Sequence, residues 1–169
     1  RGRSTIDLSF LYIPSTFLMI ALVVAALYLP AVRITDDSMS PVLQRGDVVF
    51  YNRNFKLKRG GLIAFQYNNK ILVKRAIAGP GEWVNIDDDG TVSVNGKVLK
   101  EHYLVQKALG DCKLEFPYQV PESKIFVLGD SRKISIDSRS SSIGCIPKDQ
   151  IVGEITFCIW PLSKRGAIN

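Results

Sequence analysis

The sequence predicts a mainly β protein, with a single N-terminal transmembrane helix followed by an antiparallel β-sheet domain. Three observations carry this. The stretch LSFLYIPSTFLMIALVVAALYLPAV, from Leu8 to Val32, holds no charged residue. After residue 40 the chain breaks into short runs rich in β-branched and aromatic residues, separated by turn residues. Outside the apolar stretch, no window of useful length repeats with the 3.6-residue period of a helix.

The elements follow in order. As a helix, Leu8–Val32 would reach about 37 Å at 1.5 Å per residue. A bilayer core needs about 30 Å. Pro14 and Pro30 fall near its ends, and Tyr12 and Tyr28 suit the two interfaces. Arg1 and Arg3 precede it against Asp7 alone, so the positive-inside rule puts the N-terminus in the cytoplasm and the rest outside the membrane. A buried core helix and a cleaved signal peptide are the competing readings of this stretch. Strands are expected at VVFYNR (48–53), LIAFQY (62–67), ILVKRAIA (71–78), EWVNI (82–86), TVSV (91–94), KVL (97–99), KIFVLG (124–129) and IVGEITFCIW (151–160). Asn95-Gly96 suits a type I′ hairpin turn. The division is residues 1–33 as cytoplasmic stub and anchor, and 34–169 as one extracytoplasmic β-rich domain.

Composition narrows the chemistry. The chain has 169 residues and a net charge of +6, enough for one real core. The positive charge suits an anionic membrane surface, and no dense Lys/Arg block or recognition-helix pattern points to nucleic acid. Cys112, Cys145 and Cys158 lack Cys-x-x-Cys spacing, which argues against zinc. Cys158 lies in an apolar run and reads as core, and Trp160 reads as core with contact to lipid as the alternative; Cys112 and Cys145 could pair in an oxidising compartment. The single histidine, His102, sits in KEHYLVQ, read as a strand edge. It rules out His-Glu-x-x-His and leaves only itself for a Ser-His-Asp triad. No Ser-x-x-Lys, Gly-x-Ser-x-Gly or P-loop pattern occurs.

Three stretches could hold chemistry. DDSMSP (36–41) is either a plain turn or the seat of a nucleophile at Ser38. In LVKRAIAGPGE (72–82), alternation puts Lys74 on one face with Leu72 and Ala76, and Arg75 on the other with Val73 and Ile77. A Lys on an apolar face loses proton affinity and can act as a base; a surface lysine covering apolar neighbours is the plainer alternative. GDSRKISIDSR (129–139) is a solvated loop unless Asp137 pairs with Arg139 and Asp130 meets Arg75, in which case it can position hydroxyls.

Taken together, the three stretches resemble bacterial type I signal peptidases, in the family's order. Ser38-Met39-Ser40-Pro41 is similar to the nucleophile motif, and Arg45-Gly46-Asp47 follows it. Lys74-Arg75 with Gly79-Pro80-Gly81-Glu82 is similar to the lysine motif, and Gly129–Arg132 with Ser135–Arg139 to the last one. The resemblance implies a Ser–Lys dyad of Ser38 as nucleophile and Lys74 as general base. It also implies that Ser135 orients Lys74, Asp137 pairs with Arg139, Asp130 braces Arg75, and the Ser38 N–H serves the oxyanion hole. The implied activity is endoproteolytic removal of signal peptides from exported preproteins, after small residues at −1 and −3, through an acyl-enzyme. Met39, Leu72 and Val73 are candidate walls of the substrate pocket, by adjacency to the dyad. The implied partners are signal peptides and membrane lipids; the expected state is a monomer, with no cofactor, metal or nucleic acid.

Val42, Ser131 and Gly61 depart from the family pattern, and Asp36 stands where Gly or a hydroxyl residue is usual. An ionised carboxylate accepts hydrogen bonds only, so it either points away from the oxyanion or leaves its stabilisation to backbone groups. Two other readings remain. A self-cleaving repressor-type protease is opposed by the apolar segment. A non-catalytic or highly substrate-restricted anchored β-module is kept open by Asp36.

Overall fold

The computed structural model describes residues 9–168, with the backbone alone at 9–11 and 25–28. Arg1, Arg3, Asp7 and Leu8, on which the expected orientation and the start of the anchor rest, lie outside the described residues, as does the Tyr28 side chain. Helix α1 runs Ser9–Tyr28, contains Pro14 and carries no charge in its terminal turns. The side chains of Phe17, Leu18, Met19, Ile20 and Leu22 are exposed. Among the described residues, no helix is long and apolar enough to cross a membrane. The apolar stretch is not helical to its end. Ala31–Arg33 forms strand β1, because its backbone pairs with β2, with Val32 opposite Val49.

The chain divides into two compact units after Pro30. The second is built on strands throughout. After β1 come β2 (Val48–Asn52), β3 (Leu62–Tyr67), β4 (Lys70–Ala78), β5 (Trp83–Ile86), β6 (Val92–Val94), β7 (Lys97–Val98), β8 (Tyr118–Gln119), β9 (Lys124–Leu128), β10 (Ile146–Pro147), β11 (Ile151–Trp160) and β12 (Gly166–Ala167). Short 3₁₀ turns occupy Lys148–Gln150 and Leu162–Lys164. All the pairings are antiparallel. The larger sheet has the order β1-β2-β11-β3-β4-β9-β10, with β12 added to β11; the smaller has the order β7-β6-β5-β8.

Burial explains the pattern. In β3 four consecutive residues are buried, and β4 is buried from Val73 to Ala78. These two central strands are covered on both faces, so they read as apolar runs without alternation. Asn95 and Gly96, at φ 50° and 76°, make the left-handed pair that the β6–β7 turn requires. The short strands β8, β10 and β12 carry no pattern of their own and exist by docking onto longer partners.

Two expectations change here, and one open question closes. His102 lies exposed in a turn, since the chain between β7 and β8 makes no ladder around it. Trp160 closes β11 at an end where it is 55% exposed, so it is not core. All three cysteines are free, and the Cys145 thiol is turned to the Tyr118 hydroxyl.

Candidate active site

β4 lies between β3 and β9, and this places Lys74 and Arg75 at the centre of the larger sheet. Lys74 sits opposite Ile63, and Arg75 opposite both Leu62 and Leu128. Each is 2% exposed, so both cations are buried, where alternation alone would bury one. The loop of DDSMSP folds as a tight turn. The Ser40 N–H donates to the Asp37 carbonyl (3.1 Å) and the Leu43 N–H to that of Met39 (2.9 Å). The turn buries Met39 and Leu43 in a cluster with Val49 and Val73 and leaves Ser38 at the cleft, itself 7% exposed. There Lys74 Nζ hydrogen-bonds Ser38 Oγ. DDSMSP is therefore a turn, and the turn presents Ser38 to Lys74.

The loop after β9 ties the third stretch to the first. The Ser131 N–H donates to the Ser38 carbonyl at 2.9 Å. Arg75 Nε donates to Asp130 Oδ1 at 2.8 Å, while its guanidinium lies 3.8 Å over the Tyr103 ring and reaches the Gly60 carbonyl. Arg139 donates through Nε to Asp137 Oδ1 and through Nη2 to Oδ2, both at 2.8 Å, and Asp137 Oδ2 accepts the Gly129 N–H at 3.0 Å. Ser138 Oγ accepts the Val127 N–H at 2.8 Å. A loop of dense polarity is thus folded back on β9 with Asp130, Arg132, Asp137 and Arg139 buried and paired, while Lys133 stays exposed.

Ser135 departs from its expected part. Its Oγ is buried and, among the described residues, makes no hydrogen bond, to Lys74 or to anything else. It rests against Gly129, where an added Cβ would stand 2.0 Å from it and 2.7 Å from the Ser38 carbonyl. Lys74 is turned instead to Ser38. Gly129→Ala should therefore drive Ser135 and the Ser38 turn apart. Peptidase activity should fall by at least about 100-fold, read by initial rates, since misplacing the reacting groups by about 1 Å is enough for this.

The electrostatics follow from burial. Burial pushes the Lys74 amine below its ordinary value of 10.5, Arg139 adds to the effect, and Asp36, Asp137 and Asp130 oppose it without reversing it. Asp36 does not point away. Its Oδ1 accepts the Ser38 N–H at 2.9 Å. Burial raises Asp36, but hydrogen bonds from the Ser38 hydroxyl and N–H, with Lys74 and Arg45 nearby, hold it below the usual carboxylate range.

Ser38 and Lys74 open on a cleft of about 630 Å³, walled by Leu72, Tyr67, Ile134, Ile136 and Ile143 among others. Of the expected wall residues, Leu72 faces this cleft. Met39 and Val73 line a small neighbouring pocket with Ile34 and Ile71, and both are otherwise buried in the core. Ile134 and Ile136 are exposed apolar residues at the cleft that sequence reading passed over inside a polar loop. Also missed were Arg132 and Glu101, a buried ion pair, and Tyr103. Arg132 lay within a stretch already singled out, but no spacing linked it to Glu101. Among the described residues no group of His, Cys, Asp or Glu is placed to hold a metal ion.

A buried Ser–Lys pair at an apolar cleft has the chemistry of a serine peptidase without histidine. Residues 8–160 match the family "signal peptidase, peptidase S26". The chain belongs to that family. Signal peptidase I T of Bacillus subtilis (strain 168) is 37% identical over 141 residues, 76% of this chain and 72% of its own. Signal peptidase IB of Staphylococcus aureus is 36% identical, covering 78% of both chains. A crystal structure of a signal peptidase I from Enterococcus faecalis V583 is 32% identical, covering 60% of this chain and 98% of its own, at a TM-score of 0.49. Within this S26 chain, all three stretches singled out in the sequence fall inside the matched residues.

Proposed function

We propose that the chain removes N-terminal signal peptides from exported preproteins, cleaving after small residues at −1 and −3. The observation that carries this is the buried hydrogen bond between Lys74 Nζ and Ser38 Oγ at the mouth of an apolar cleft. Ser38 Oγ attacks the carbonyl carbon of the −1 residue. Neutral Lys74 takes the hydroxyl proton and delivers it to the departing amine, leaving an acyl-enzyme on Ser38. Water, deprotonated by Lys74, then attacks the acyl carbon, and the proton passes to Ser38 Oγ as the ester bond breaks and the product leaves. Ser135, with a buried hydroxyl that has no partner among the described residues, is the group that receives a Lys74 hydrogen bond once Ser38 is acylated. Arg75–Asp130 and Arg139–Asp137 hold the two sides of the site in register. Leu72 contributes to the apolar wall that accepts small side chains, with Met39 and Val73 behind it.

Helix α1 is the anchor in this reading. Its 20 residues are uncharged, and its exposed apolar side chains fit a non-aqueous neighbour. The N-terminus is then cytoplasmic and the β-domain, a monomer, extracytoplasmic. Exposed Trp160 and Leu162 support contact of that domain with lipid.

The test is cleavage of a preprotein carrying an Ala-x-Ala site, in detergent micelles, with products read by mass spectrometry. Cleavage after the second Ala is expected. The rate should rise with pH and reach half its plateau below 10.5, the ordinary lysine value, because burial favours the neutral amine. Cleavage elsewhere, or a rate flat across that range, would overturn the reading.

A further inference from the structure

One N–H cannot serve two acceptors at full strength, and the Ser38 N–H already has one. Its partner is the carboxylate of Asp36, at 2.9 Å and two residues before the serine. We propose that Asp36 is a latch on the oxyanion hole: in the free enzyme its carboxylate occupies the Ser38 N–H, and a substrate must displace it before that N–H can stabilise the tetrahedral intermediate. This rests on the dyad reading above.

The geometry supplies both positions of the latch. Asp36 lies in the wall of the cleft that holds Ser38, Lys74 and Leu72, so a peptide seated there meets it directly. The developing oxyanion wants donors at about 2.7–3.1 Å. A carboxylate only accepts, so in that place it both blocks the donor and repels the charge. Arg45 lines the same cleft, and among the described residues its one ion pair is a loose, exposed one with Asp37 at 3.7 Å. It is the cation to which the displaced carboxylate turns. The charged groups that line the cleft with Asp36 are Lys70 and Lys74 from β4 and Asp37 and Arg45 from its own loop, while Asp130, Asp137 and Arg139 act on Lys74 from the loop after β9.

The consequence is selectivity. A substrate that fills the cleft offsets the cost of opening the latch with its own contacts; a poorly fitting one does not. A hydrogen bond to a charged group is the kind of interaction whose loss changes a rate about 10- to 100-fold. The same carboxylate favours the protonated form of Lys74, so the latch also delays the base.

Asp36→Asn separates this from a mere turn-forming role, because an amide oxygen can still accept the Ser38 N–H. The experiment compares the full chain, Asp36→Asn and Asp36→Gly in micelles on an Ala-x-Ala preprotein, recording kcat and KM against pH. The latch predicts that Asp36→Gly, which leaves the Ser38 N–H free, raises kcat by about 10-fold, and that Asp36→Asn, whose neutral oxygen holds it more weakly, raises kcat by a smaller factor. It also predicts a midpoint of the alkaline rise lower by about one pH unit, since the charge that held a proton on Lys74 is gone. In the ¹⁵N-labelled full chain, the Ser38 amide resonance should titrate with Asp36, and should still do so in Lys74→Ala. Unchanged kcat and midpoint in both variants would overturn the latch. So would a Gly variant that loses activity while the Asn variant matches wild type, which would make Asp36 a turn former. If cleavage survives Ser38→Ala, the dyad reading itself has failed and the latch falls with it; if cleavage requires Ser38 yet ignores Asp36, only the latch falls.

Discussion

Ser38→Ala should lower cleavage on the order of 10⁴- to 10⁶-fold, and Lys74→Ala by a comparable factor, because the two groups act as one unit. The decisive variant is Lys74→Arg. It keeps a cation in the site, but a guanidinium does not deprotonate at accessible pH, so it cannot take the serine proton. Activity should stay at the Ala level at every pH tested. An active Lys74→Arg enzyme would mean that the cation serves as an electrostatic partner and that the base lies elsewhere. Lys74→Met adds a stability readout. Burial holds Lys74 below its unfolded value, so between the two values the unfolded chain carries the extra proton, and wild-type stability climbs with pH across that window. Below the folded value the cost of the buried cation is felt in full. The Met variant lacks that dependence. It should therefore be more stable than wild type at pH 7 by thermal melting, with the gap narrowing as pH approaches 10.5.

Much of this site was legible in the sequence, for reasons that differ by residue. LIAFQY and IVGEITFCIW announce β3 and β11 to the residue because apolar, β-branched runs between turn residues have few other uses. Asn95-Gly96 announces its turn because it supplies two left-handed residues in succession. The strands that escaped notice, β1, β8, β10 and β12, are two or three residues long and owe their form to the partner strand, which local sequence does not encode. The same division runs through the site. Lys74 stands out as a charge inside an apolar strand. Arg75–Asp130 follows once the strand ends are set side by side. Glu101 meeting Arg132, and Tyr103 under Arg75, depend on the path of an irregular segment, and no spacing predicts them. Ser135 is the converse case, a motif position whose expected hydrogen bond to Lys74 is not made among the described residues, where Lys74 is turned to Ser38. Asp36 stands out in the sequence as an anomaly, and only its geometry turns it from an oddity into a partner of the Ser38 backbone.

The second large effect is structural and concerns Arg139. Its side chain is 1% exposed and Asp137 is fully buried, so each is the other's reason for being charged there. The guanidinium also donates to the Leu109 carbonyl at 2.6 Å and the Arg132 carbonyl at 2.9 Å, stitching the loop after β9 to the irregular segment before β8. Arg139→Met removes all of these donors at once and strands a buried carboxylate, a change that costs about 3–5 kcal/mol. The melting temperature should fall by roughly 10–20 °C for a chain of this size. Arg139→Lys should recover part of the loss, since a point cation can meet one carboxylate oxygen but not grip both oxygens and two carbonyls. Activity should fall as well, and through kcat more than KM. Asp137 holds the Gly129 N–H, and the Ser131 N–H on the same loop holds the Ser38 carbonyl, so loosening the pair slackens the turn that presents the serine. Adding Asp137→Asn to Arg139→Met should restore much of the stability, because the stranded charge is gone. It should not restore kcat, because the loop is still untied. If the double variant were no more stable than Arg139→Met, the ion pair would not be what holds this loop.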